Sequence, residues 1–83
     1  MIELVLVGRP LCHLCEDMEY ALAPLLAEYG ASLTVLNVDR EPGLERFSEL
    51  IPVLLLNGEE ICRYFVDELK VRKVLSVYPA DSD

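Results

Sequence analysis

The chain has 83 residues, enough for one small domain and too few for a second core. Hydrophobic residues make up 53%, which implies a packed interior rather than a disordered chain. Asp and Glu outnumber Lys and Arg by 15 to 7, for a net charge of −8, and such a surface repels nucleic acid and anionic membranes, so neither is expected as a partner.

Met1 to Val7 is apolar on both faces and rich in Val, Ile and Leu, which predicts a central strand buried on both sides, with Glu3 at its wet end. Glu3 lies inside this run and no Lys or Arg precedes it, so it does not read as a secretory signal. The apolar runs are also far short of a membrane span, and a cytoplasmic location is expected. Gly8 and Pro10 break the strand.

From Leu11 or Cys12 to Tyr29 the period becomes helical. Leu14, Met18, Leu22, Leu25 and Tyr29 form one stripe, with Ala21 widening it. Pro24 falls inside the pattern and predicts a kink near residues 20–23. Gly30 is the expected stop. Ser32 to Val38 reads as a second strand, and a strand–helix–strand unit with short connections predicts a parallel pair with a right-handed crossover.

Residues 39–43 form a turn. Leu44 to Leu50 predicts a short helix docked through Phe47. Val53 to Leu56 is an apolar, central strand, and Asn57-Gly58 turns it into a hairpin with Glu59 to Tyr64, a charged edge strand. Asp67 caps a last helix to about Val77, with Leu69, Val71, Val74, Leu75 and Tyr78 as buried positions, and Pro79 ends it. The order is β-α-β-α-β-β-α: an α/β domain over residues 1–79, a four-stranded mixed sheet with helices on both faces, and a tail at 80–83.

The chemistry is concentrated in Arg9-Pro10-Leu11-Cys12-His13-Leu14-Cys15. Two cysteines three positions apart stand at a helix start. The positive end of the helix dipole favours a thiolate there, and the second sulfur, one turn on, is placed to displace whatever the first captures. This is the pattern of a dithiol redox site. Cys12 is expected to ionise more readily than Cys15, which has less of the dipole and more burial. Three cysteines in a cytoplasmic chain point to thiol chemistry or metal rather than a disulfide scaffold. The metal alternative would recruit Cys12, Cys15, His13 and Cys62 as zinc-type ligands, a thin set with no second Cys-x-x-Cys. His13 is either a tuner of the redox couple or an exposed helix residue. Cys62 is either a half-buried strand residue or a regulatory third thiol. Arg9 is a candidate contact for a substrate carboxylate.

Taken together, Cys-x-x-Cys at a helix start after a buried strand, Pro24 in that helix, and Ile51-Pro52-Val53 before an Asn-Gly hairpin resemble the thioredoxin fold. The short chain is more similar to glutaredoxins. It is nearest to small bacterial glutaredoxin-like proteins with a Cys-x-Leu-Cys-Glu site, here Cys12-His13-Leu14-Cys15-Glu16. The similarity runs from residue 2 to about 78. It implies a thiol–disulfide oxidoreductase with Cys12 as nucleophile and Cys15 as resolving thiol. It also implies a cis Pro52 beside the disulfide, the Ile51 main chain pairing with an extended substrate or glutathione, and Asp67 near the glutamyl end of glutathione. Implied partners are protein or small-molecule disulfides and a recycling reductant, glutathione or a reductase; no bound cofactor or metal is implied. The alternatives are a non-catalytic peptide-binding module of the same fold and a metal-carrying thiol protein. Two departures stand out. His-Leu separates the cysteines, and Tyr64-Phe65-Val66-Asp67 replaces the glutaredoxin Gly-Gly pair, keeping only the Asp.

Overall fold

The architecture is seen in a computed structural model that describes residues 2–77. Four strands and two α-helices occur in the order β1 (Glu3–Gly8), α1 (His13–Tyr29), β2 (Ser32–Asn37), a 3-10 turn (Glu45–Phe47), β3 (Val53–Leu56), β4 (Glu59–Arg63) and α2 (Glu68–Val77). The sheet order is β2-β1-β3-β4, so the two most apolar strands are central, as their composition predicts. β1 pairs parallel with β2, Leu6 opposite Val35, and antiparallel with β3, Leu6 opposite Leu54. The β3–β4 hairpin turns at Asn57 (φ 53°) and Gly58 (φ 82°), and its register slips at Leu54/Leu55. A positive φ at both turn residues matches the right-handed twist of the strands.

Alternation along β1 divides the core between the two faces. Leu4 and Leu6 face both helices, packing with Met18, Leu22 and Leu25 of α1 and Val71 and Leu75 of α2. Val7 faces the other way, with Val53, Leu55, Val38 and Phe47. Arg72 ties α2 to α1 through Glu28 at 2.9 Å. Glu3 stays exposed at the wet end, where its carboxylate accepts the Thr34 hydroxyl.

Three expectations change. The helix expected over 44–50 is a single 3-10 turn. Phe47 N–H bonds Leu44 C=O and Leu50 N–H bonds Phe47 C=O, both three residues back. A segment caught between Gly43 and Pro52 is too short to repay helix nucleation, and burial of Phe47 holds the turn instead. Two α-helices therefore cover one face and this looped segment the other. Leu69, expected in the core, is 82% exposed, because α2 turns Val71 and Leu75 inward. α1 is helical throughout His13–Tyr29, with Pro24 on its exposed side. The expected Tyr78 contact, the stop at Pro79 and the tail at 80–83 lie outside the described residues. No helix among the described residues is long and apolar enough to cross a membrane.

Candidate thiol–disulfide site

β1 ends at Gly8, and Arg9-Pro10-Leu11 swings the chain into α1. Leu11 makes the turn with φ 62°, a left-handed conformation that leucine rarely adopts. Cys12 is the N-cap, with extended backbone (φ −99°, ψ 111°). Its Sγ accepts a hydrogen bond from the Cys15 N–H at 3.1 Å, and its carbonyl accepts the Glu16 N–H at 3.1 Å. Cysteine thus occupies the place that Ser or Asp commonly fills, turning one orphan amide of the helix start onto a sulfur.

Cys12 and Cys15 are joined as a disulfide, Cα–Cα 5.2 Å and S–S 2.27 Å. Their exposure differs: Cys12 is half-buried, while Cys15 is 8% exposed. Cys15 lies over the end of β1, where a Cβ on Gly8 would come 2.7 Å from its Sγ. Only glycine leaves room for that sulfur. On the neighbouring strand, the Ile51–Pro52 peptide is cis, as the resemblance implies, and Pro52 is fully buried. Val7 opposes Val53 in the antiparallel ladder, so Pro52 stands one register step on, beside Gly8 and hence beside the disulfide. The Pro52 carbonyl accepts the Tyr64 N–H at 2.8 Å, which brings the end of β4 to the same place. Among the described residues, neither the N–H nor the C=O of Ile51 has a hydrogen-bond partner.

The remaining candidates are already engaged. Arg9 donates through Nε and Nη2 to the two carboxylate oxygens of Asp39, at 2.9 and 3.0 Å. That hydrogen-bonded pairing holds the Asp39 carboxyl below its ordinary range and raises the guanidinium. A substrate carboxylate would have to compete with Asp39 for this charge. Asp67 caps α2, its Oδ1 accepting the Lys70 N–H at 3.2 Å. A cleft of about 300 Å³ opens between the Arg9–Leu11 loop, the first turns of α1 and β2, with Cys15, Glu16 and Glu19 on its wall.

Cys62 on β4 is a free thiol. Burial pushes its pKa up, against a smaller opposing pull from the Asp67 backbone, so it stays protonated near neutral pH. Among the described residues, no three His, Cys, Asp or Glu side chains gather to hold a metal ion. Sequence reasoning missed Gly8 and Asp39 as parts of the site. Gly8 reads only as a strand breaker and Asp39 only as a turn residue, because their partners lie 7 and 30 positions away.

A mixed four-stranded sheet, a Cys-x-x-Cys disulfide at the first helix and a cis-proline just before the adjoining strand define a thioredoxin-fold protein of glutaredoxin type. The chain belongs to the glutaredoxin-like family: the family model described as Glutaredoxin-like domain (DUF836) matches residues 3–76. It is similar to Ne2328 from Nitrosomonas europaea, solved by NMR, at 36% identity and TM-score 0.79 over 88% of this chain and 89% of that one. It is also similar to the uncharacterized protein Rv0508 of Mycobacterium tuberculosis, 34% identical over 81% of this chain and 75% of the relative. A buckwheat glutaredoxin, solved with glutathione, shares the fold at TM-score 0.55 and 18% identity, over 89% of this chain and 72% of that one.

Proposed function

We propose that this protein is a thiol–disulfide oxidoreductase acting through Cys12 and Cys15. The observation that carries the reading is the Cys15 N–H aimed at Cys12 Sγ from 3.1 Å, at the N-terminus of a 17-residue helix. In the dithiol form that amide and the helix dipole stabilise a thiolate on Cys12, while Cys15 stays shielded. The Cys12 thiolate attacks one sulfur of a substrate disulfide, forming a mixed disulfide and expelling the other sulfur as a thiolate that takes up a proton. Cys15 then loses its proton and attacks Cys12 Sγ, forming the Cys12–Cys15 bond and releasing the second substrate thiol. Two electrons pass to the substrate, and an external thiol reductant, glutathione or a protein dithiol, returns them.

Ile51 and Pro52 serve this reading as a docking ledge, since the free N–H and C=O of Ile51 suit an extended substrate strand. Arg9 and Asp67 act at one remove, holding the loop ahead of Cys12 and the start of α2. A reversible thiol couple suits a reducing, cytoplasmic setting.

The assignment is tested by trapping. Cys15→Ser should accumulate a mixed disulfide through Cys12, and Cys12→Ser should accumulate none. Equal behaviour of the two variants would refute the assigned roles. The same Ile51 ledge also favours a second reading, a peptide-binding module without turnover. Full partner binding by a Cys12→Ala, Cys15→Ala double variant would single that reading out.

A further inference from the structure

We propose that Leu11, Leu14, Tyr64 and Phe65 form an apolar collar around the disulfide that selects extended, apolar polypeptide disulfides over glutathione. This inference rests on the oxidoreductase reading and names its substrate class.

The four side chains reach the site by two routes. Leu11 and Leu14 immediately precede Cys12 and Cys15 in the chain. Tyr64 is fastened to Pro52 by its backbone N–H, and Phe65 follows it. All four are exposed, Leu11 at 98% and Phe65 at 69%. Large apolar side chains scattered singly on a surface are ordinary; four borne by backbone that adjoins the two cysteines or Pro52 are not. Both segments also bend through residues that disfavour the bend, Leu11 at φ 62° and Tyr64 at φ 70°. Glycine would relieve both positions, yet one carries a leucine that is 98% exposed and the other a tyrosine that is 38% exposed.

Backbone and charge narrow the occupant. The unpartnered N–H and C=O of Ile51 offer pairing to an extended main chain. Glutathione brings two carboxylates and one ammonium, net −1, to a protein of net charge −8. The two arginines of the site segments are already neutralised, Arg9 by Asp39 and Arg63 by Glu60. A polypeptide with apolar side chains around its cysteine, and neutral or basic charge beyond them, meets the collar, the ledge and the acidic surface at once. Glutathione, net −1, can share the ledge but brings no apolar side chain for the collar.

The test uses the reduced full chain and three mixed disulfides sharing one leaving group, thionitrobenzoate. Its partner thiol is an eight-residue peptide with leucine and valine beside a central cysteine, glutathione, or mercaptoethanol. In each, Cys12 attacks the partner's sulfur and thionitrobenzoate leaves, so its colour reports the rate. The peptide should react about tenfold faster than glutathione, the equivalent of covering roughly 55 Å² of apolar surface. A Leu11→Ser, Phe65→Ser variant should bring the two rates within about threefold of each other. Val77→Ser, at the hairpin end of the sheet beside Leu56, should keep the wild-type ratio. Equal peptide and glutathione rates in the wild type, with a fast Cys12-dependent mercaptoethanol reaction, would overturn the selectivity and leave the oxidoreductase standing. A mercaptoethanol rate no greater than that of Cys12→Ser would take both readings down.

Discussion

Gly8 and Cys15 touch so closely that a methyl group on Gly8 would stand 2.7 Å from the cysteine sulfur and 3.3 Å from its Cβ. Gly8 lies in a strand outside the positive-φ region, so an alanine there tests the contact and little else. Gly8→Ala is expected to destabilise the protein by about 1–3 kcal/mol, the usual range for overpacking. Urea unfolding measures the loss. Adding Cys15→Ala removes the sulfur and should restore most of it; no recovery would mean that the strand itself resents the methyl.

The two cysteines should part company chemically. In the disulfide form Cys12 accepts an amide N–H and is half-buried, while Cys15 is only 8% exposed, and the same ordering is expected once the bond is reduced. Iodoacetamide should modify Cys12 about tenfold or more faster than Cys15 at neutral pH, since the thiolate is the nucleophile. Peptide mapping by mass spectrometry follows each site.

Cys62 supplies a pH signature. Burial raises its thiol pKa above the ordinary value, so the folded protein holds this proton more tightly than the unfolded chain does. The associated stability is present below the unfolded-chain pKa and drains away as pH rises towards the folded one. Alkylation of Cys62 should stay slow through neutrality and climb only in alkali. Wild type should lose stability between those two values relative to Cys62→Ala.

The Arg9–Asp39 pair gives the opposite sign. Asp39 is held below the usual carboxylate range, so its contribution is present at neutral pH and is lost as pH falls through the folded value. Both groups are exposed, so the effect on stability should be small and weakened by salt. Asp39→Asn should flatten that part of the acid unfolding curve. It should also free Arg9 and speed reaction with the glutathione–thionitrobenzoate disulfide, a gain that high salt erases.

Asp67 is predicted to matter through α2. Removing its cap with Asp67→Ala should cost about 1 kcal/mol in urea unfolding, and Asp67→Asn, which caps nearly as well, should cost little. A large loss in the asparagine variant would point to a role for the charge beyond the helix.

What could be read from the chain was what neighbours in sequence decide. The unbroken apolar runs placed β1 and β3 in the middle of the sheet. Asn57-Gly58 marked the hairpin, Asp67 the start of α2, and Gly30, at φ 65°, the end of α1. The cysteine pair at a helix start marked the site, because capping and dipole act within one turn. Tertiary structure decided whatever depends on distant segments meeting. It set Arg9 against Asp39, pressed Gly8 onto Cys15, turned Leu69 outward and reduced residues 44–50 to a single turn. Each of these is a contest for space or charge between residues far apart in the chain, and periodicity and propensity carry no record of who the opponent will be.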